Sequence, residues 1–149
     1  IRYPRASVSL EDGLSAPLKL GKAELIKEGK DFTIIALGSM VLVAKEAIEM
    51  LSKEGLSGSL VNARFAAPLD LELIRNICAK TKFIFTVEEG IKDAGFGSSI
   101  AQELGRQVER IGLPFEFIPH GARELLLEKY GLTASGIAES IRKAVKKNG

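Results

Sequence analysis

The sequence is poor in the residues that build disulfides, metal sites and catalytic centres. It holds one cysteine, one histidine and no tryptophan in 149 residues. A single cysteine excludes an internal disulfide, which makes a reducing cytoplasm the expected location. A zinc site would need carboxylates in place of His and Cys, and no ligand spacing is visible, so we predict no metal. No apolar run approaches the roughly 18 residues of a membrane-spanning helix, and no membrane partner is expected.

An excess of charge of one sign is also lacking. The chain has 21 basic and 19 acidic residues and a formal net charge of +2, which argues against nucleic acid as a partner. The only basic cluster, between Arg142 and Lys147, lies in the predicted last turn of a helix, where cations favour the helix dipole, and we favour this interpretation over contact with an anion or RNA. The first residue is Ile1 rather than Met, and we expect the chain to be a piece of a longer protein.

Apolar patterning predicts an α/β fold. β-favouring runs predict strands over 22–27, 32–36, 59–62, 82–87 and 115–118. Helical spacing and end signals predict helices over 39–55, 68–78, 98–111, 122–130 and 133–147. This alternation predicts three layers, with a mainly parallel sheet of about five strands and helices on both faces. We divide the chain into an extended leading segment, residues 1–18, and one domain, residues 19–149.

Ligands of such sheets bind beyond the carboxyl ends of the strands, where two glycine-containing turns are predicted. Gly38-Ser39 lacks both the dinucleotide fingerprint and a P-loop, so a structural turn is favoured over a phosphate site. Gly95-Phe96-Gly97 resembles an anion loop, but the signal is weak alone. We favour packing or an interface there, with Phe96 as an apolar anchor for another chain or domain.

Four further side chains are candidates for chemistry, and each has a structural alternative that we favour. Glu88 and Glu89 end a predicted strand and could act as acid or base, but a salt bridge to Arg64 is preferred. His120 precedes a helix start and is expected to be a structural hydrogen-bonding group. Cys78 lies on the inward face of its helix and is expected to pack. No catalytic residue is therefore predicted.

Tyr3 and Arg5 lie on the same face of the leading segment if it is extended. An arginine guanidinium offers a planar fork that suits phosphate oxygens. A solvated linker arginine is the alternative, and the residues alone do not choose between the two.

Five strings, in this order and spacing, resemble the C-terminal, transketolase-like domain of the 1-deoxy-D-xylulose-5-phosphate synthases. The strings span nearly the whole chain. They are Ile1 to Arg5, Asn62 to Phe65 with Pro68 to Asp70, Thr86 to Glu89, Gly95 to Ser98, and Gly112 to Gly121 with Gly131-Leu132.

The resemblance implies a transferase whose chemistry lies elsewhere. Such enzymes hold thiamine diphosphate and magnesium in two preceding domains, so this domain alone should bind neither cofactor and should be inactive. The enzyme condenses pyruvate, after decarboxylation, with glyceraldehyde 3-phosphate, and feeds isoprenoid, thiamine and pyridoxal synthesis. The resemblance also implies a homodimer and contact with the preceding domains, and it assigns the substrate phosphate to Arg5.

The sequence departs from the family pattern at three positions. Ala6 and Ala94 stand where glycine is usual, and Ala67 stands where lysine is usual. These departures keep open the C-terminal half of a split transketolase or the β subunit of a 2-oxo-acid dehydrogenase, although Arg5 favours the synthase. An alternative of another class is a free-standing α/β module that binds a nucleotide, against which the missing fingerprint argues.

Overall fold

The computed structural model describes residues 17–147, so Tyr3, Arg5 and Ala6 lie outside the described residues. Ten elements follow one another within these described residues. They are β1 (Glu24–Lys27), β2 (Phe32–Ala36), α1 (Met40–Lys53), β3 (Gly58–Asn62), α2 (Leu71–Cys78), β4 (Phe83–Ile91), α3 (Phe96–Leu104), β5 (Glu109–Leu113), α4 (Arg123–Lys129) and α5 (Ala134–Lys147).

The five strands form one sheet in the order β1-β3-β2-β4-β5. Strand β2 pairs in parallel with β3 and β4, and β4 pairs in parallel with β5. Only β1 is antiparallel, with Glu24 opposite Asn62 at the carboxyl end of β3. The predicted five-stranded, mainly parallel sheet is therefore confirmed, and the chain comes into the sheet at its carboxyl edge.

Helices cover both faces because the central strands are apolar on both sides. Every residue of β2 is buried, as expected for a strand covered by helices on each face. Ile34 faces a core shared with α1 and α5, whereas Ile35 faces a second core shared with α2 and α3. The three-layer prediction is confirmed. Within residues 17–147, no helix is long and apolar enough to cross a membrane.

The last strand lies earlier in the chain than predicted. Helix α3 ends at Leu104, because Gly105 adopts a left-handed conformation with φ of 59° that stops the helix. Strand β5 then pairs with β4 over 109–113, a stretch whose apolar spacing had predicted the end of a helix. The alternating run Phe115 to Ile118 is not a strand but a loop.

Side chains cap two of the helices but not α1. Asp70 accepts a hydrogen bond from the Leu73 amide at 3.3 Å and caps α2. Thr133 accepts one from the Gly136 amide at 3.2 Å at the start of α5. Ser39 is the N-cap residue of α1, but its side chain makes no capping hydrogen bond.

Candidate functional site

The carboxyl edge of the sheet gathers most of the predicted site residues. Ser39 follows β2, Arg64 follows β3, and His120 lies in the loop after β5. Glu88 and Glu89 are the sixth and seventh of the nine residues of β4. The β4–α3 turn lies at the same edge and holds the glycine pair around Phe96.

Glu88 fills the glycine-containing turn with its own carboxylate. Its side chain is buried and accepts hydrogen bonds from the amides of Phe96, at 3.0 Å, and Gly97, at 2.8 Å. These amides open helix α3, whose positive dipole end favours a negative charge. The turn is thus an anion site by geometry, and the anion is part of the protein.

The turn needs glycine because of this close approach. A Cβ on Gly95 would lie 2.1 Å from the Ile91 carbonyl oxygen and 2.8 Å from the Glu88 carboxylate. A Cβ on Gly97 would lie 2.3 Å from the Thr86 hydroxyl oxygen. Because the Glu88 carboxylate already accepts hydrogen bonds from the amides of Phe96 and Gly97, a phosphate cannot bind to these amides while Glu88 stays in place.

Phe96 packs inside the domain rather than on its surface. Only 6% of the residue is exposed, and it lies in the core between the sheet and helices α2 and α3. The packing interpretation holds, but the suggested anchor for another chain or domain is wrong, because the ring is already covered.

The predicted salt bridge between Arg64 and the two glutamates is replaced by other contacts. Arg64 has φ of +58°, its amide donates to the Asn62 side chain, and its guanidinium lies 2.8 Å from the Glu24 carboxylate. It therefore joins the end of β3 to the start of β1, and β2 separates it from β4, which carries Glu88.

Glu89 instead forms an ion pair with Arg123, the first residue of α4. Arg123 also donates to the Ser39 hydroxyl at 3.4 Å, so one guanidinium joins the turn after β2 and the end of β4 to α4. Sequence analysis missed Arg123. A cation in the first turn of a helix opposes the helix dipole, and that mismatch was the available signal that Arg123 has an acidic partner.

The remaining candidates carry no catalytic geometry. His120 is exposed two residues before Ala122, the N-cap of α4. Burial raises the pKa of the Cys78 thiol to about 11, so the thiol is neutral near pH 7 and packs as predicted. No group of three acidic, histidine or cysteine side chains that could hold a metal exists between residues 17 and 147.

Comparison with known proteins identifies close relatives over nearly the full chain. The chain is 43% identical to the 1-deoxy-D-xylulose-5-phosphate synthase of Heliobacterium modesticaldum over 95% of its length. It is 43% identical to that of Rhodopirellula baltica over 100% of its length and 41% identical to that of Gloeobacter violaceus over 97%. It spans only 23–24% of the length of these relatives.

A solved structure and a family model agree with these relatives. The structure is described as "Split gene transketolase, inactive beta4 tetramer", with TM-score 0.87 and 33% identity. The match covers 95% of this chain and 48% of that one. The family model described as "Transketolase, C-terminal domain" matches residues 21–137. The family-model match over residues 21–137 and the identities to these relatives show that the chain belongs to the transketolase C-terminal domain family.

Proposed function

We propose that this chain is the C-terminal domain of a thiamine-diphosphate-dependent 1-deoxy-D-xylulose-5-phosphate synthase, a transferase acting in isoprenoid and thiamine biosynthesis. The observation that carries the proposal is identity of 41–43% to proteins of that name over 95–100% of the chain. The whole enzyme would condense pyruvate, after decarboxylation, with glyceraldehyde 3-phosphate in the cytoplasm.

The cofactor and magnesium belong, in this proposal, to the preceding domains. The described residues do not fit them, since residues 17–147 hold no cluster of metal-ligating side chains. The amides that would suit a diphosphate are occupied by Glu88. In this proposal the domain takes part in assembly of the enzyme and contacts the acceptor substrate, and it is inactive alone.

Arg5 is the residue that we assign to the phosphate of the acceptor. In the full-length enzyme we expect Arg5→Ala to raise KM for glyceraldehyde 3-phosphate about 10- to 150-fold, with little change in KM for pyruvate. That range corresponds to about 1.5–3 kcal/mol for the loss of hydrogen bonds to a charged group. Steady-state kinetics with each substrate varied in turn measures both values.

Arg2→Ala is the matched control. Arg2 is an arginine of the same segment, and if that segment is extended its side chain points to the face opposite to that of Arg5. It should leave both KM values near those of the wild type. An unchanged acceptor KM in Arg5→Ala, or an equal rise in Arg2→Ala, would remove Arg5 from the substrate site.

A split transketolase is the second candidate, favoured by the TM-score of 0.87 to a protein of that description. The two candidates differ in their donor substrate. If it is the synthase, the full-length protein or complex should release CO₂ from pyruvate and condense the remaining two carbons with glyceraldehyde 3-phosphate. Transfer of a two-carbon unit between two sugar phosphates without CO₂ would favour the transketolase, as would a separate gene upstream of Ile1.

Homomeric assembly is the last part of the proposal. The split transketolase chain is described as a β4 tetramer, and we expect the full-length protein to be a homodimer. Light scattering coupled to size-exclusion chromatography should give twice the chain mass. A monomer at micromolar concentration that retains full activity would contradict an assembly role.

A further inference from the structure

An aromatic loop after β5 lies outside the domain's own packing. Phe115 is 79% exposed and Phe117 is 103% exposed, so neither ring is covered by the residues that the structure describes. Leu125 on α4 is 66% exposed, and α4 buries none of its residues. We name the exposed set Ile91, Phe115, Phe117 and Leu125 the aromatic-loop face.

The aromatic-loop face belongs to segments that the structure joins. Ile91 pairs with Leu113 at the end of the β4–β5 ladder, two residues before Phe115. The Tyr130 hydroxyl donates to the Glu116 carboxylate at 3.1 Å, which ties the loop to the end of α4. The surface is therefore built from adjoining parts of one edge of the domain.

The sequence of the aromatic loop is typical of a half-buried strand, although the loop itself is exposed. Phe115 to Ile118 alternates apolar and polar residues in the way that predicts a half-buried strand, yet it joins no sheet. Among the described residues, its single backbone hydrogen bond runs from the Glu116 amide to the Pro114 carbonyl, at 2.9 Å. Exposed aromatic patches of this kind mark binding surfaces.

The position of the loop indicates what covers it. Both Glu24, at the start of β1, and the aromatic loop, after β5, lie at the carboxyl edge of the sheet. Four strand spacings of about 4.8 Å separate β1 from β5, or about 19 Å. A single preceding domain of about 100 residues, with a radius of gyration of about 13 Å, spans that distance.

The chain that leads into β1 is apolar and exposed at the same edge. Leu18 and Leu20 are exposed, and a Cβ on Gly21 would lie 2.9 Å from the Pro68 ring in the loop after β3. The polypeptide thus reaches the domain across the edge on which the aromatic loop lies.

We propose that the aromatic-loop face is the surface on which the preceding part of the same polypeptide docks. The inference rests on the proposed function, in which this chain is the last quarter of a longer protein, as its 23–24% share of the relatives' length suggests. A covalently tethered domain competes at an effective concentration in the millimolar range. It therefore outcompetes a second copy at the micromolar concentrations of a typical assay.

Photo-cross-linking in the full-length protein tests the docking. We expect p-benzoylphenylalanine at position 117, in place of Phe117, to give an internal cross-link on irradiation. Mass spectrometry should place the partner peptide before Ile1, and the product should run at the mass of one chain on a denaturing gel. The same group in place of Met50, near the end of α1 at the opposite edge, is the control and should give no such peptide.

Three outcomes would overturn the inference. They are the absence of any cross-link at position 117, a product of twice the chain mass, and an equal yield of the same peptide from position 50. The double variant Phe115→Ser/Phe117→Ser gives a second measure. Backbone amides of 115–121 should exchange at least tenfold more slowly in the full-length wild type than intrinsic rates, and the variant should lose that protection.

These measurements do not depend on the reaction. A full-length protein that gives the expected cross-link but fails to condense pyruvate with glyceraldehyde 3-phosphate would overturn the proposed function and leave the docking surface in place.

Discussion

One residue of the β4–α3 turn, Ala94, has a backbone conformation that its side chain opposes. Ala94 has φ of +63°, a left-handed conformation that costs a non-glycine residue about 1–2 kcal/mol. The family resemblance places glycine at this position as usual. The sequence departure at Ala94 therefore has a physical meaning, since the turn keeps the glycine conformation without the glycine.

Ala94→Gly should accordingly stabilise the chain. We expect the free energy of unfolding to rise by about 0.5–1 kcal/mol, because the relieved strain exceeds the greater entropy of glycine in the unfolded state. Urea denaturation followed by circular dichroism measures the change. The matched variant Ala101→Gly, inside helix α3, should instead lose about 0.5–1 kcal/mol. A loss of stability in Ala94→Gly would contradict the strain argument.

At the scale of elements, helix α3 begins where it does because Glu88 satisfies its first amides. Strand β4 continues past the predicted end at Val87, which places the Glu88 carboxylate under the turn, and it reaches Ile91 because Ile91 pairs with Leu113 of β5. The long strand, the turn and the helix thus form one unit, fixed by two hydrogen bonds from Phe96 and Gly97.

Glu88→Gln tests that unit. Gln has one acceptor oxygen, and its amide NH₂ would face a backbone donor. We therefore expect unfolding to become easier by about 1.5–3 kcal/mol, the range for hydrogen bonds to a charged group. Glu49→Gln, on an exposed position of α1, is the control and should change stability by less than about 0.5 kcal/mol. Equal stability of the two variants would mean that the buried carboxylate adds nothing to the turn.

Sequence reasoning succeeded for elements whose pattern was local. The apolar run of β2 and the spacing of α1 and α5 predicted both layers, because burial on two faces leaves a strong signature. It failed at 104–118, where Val108 and Ile111 fit a helical spacing and Phe115 to Ile118 fitted a strand. The turn at Gly105 and the pairing with β4 decided the outcome, and strand pairing is not encoded in a local period.

Partners across the carboxyl edge were equally hidden from the sequence. The choice between Arg64 and Arg123 as the cation near the glutamates depends on strand order. Glu89 lies in β4, and Arg64 follows β3, with β2 between them in the sheet. The prediction from the order of the strands along the sequence therefore placed Arg64 too close to the two glutamates.

At the scale of the whole molecule, Asp70 ties the incoming chain to the body of the domain. Its carboxylate accepts hydrogen bonds from the amides of Leu73 and Ala23, at 3.3 and 3.1 Å, and lies 3.4 Å from the Lys22 ammonium. Burial alone would raise the pKa of Asp70, but the two amides and Lys22 outweigh it and hold the pKa below its ordinary value. The folded protein therefore stabilises the charged carboxylate form of Asp70 relative to its protonated form.

Stability should therefore fall in acid. A depressed pKa gives stability that is present above the unfolded value of about 3.9 and is lost as pH falls through the lower folded pKa. We expect Asp70→Asn to cost about 1–2 kcal/mol at pH 7, since Asn can accept from only one of the two amides. The difference in the free energy of unfolding between Asp70→Asn and the wild type should become smaller below about pH 4. Chemical denaturation at several pH values, with Glu46→Gln as an exposed control, measures this difference, and a difference independent of pH would contradict the assignment.

The self-filled turn after β4 has a consequence for motif searches. A G-x-G string between a strand and a helix is commonly taken as a nucleotide fingerprint, and this chain would be a false positive. The distinguishing mark is an acidic residue seven and nine positions before the two glycines, as Glu88 precedes Gly95 and Gly97. A search that penalised a carboxylate at that offset would separate turns whose amides bind the protein's own carboxylate from turns whose amides are free to bind a phosphate.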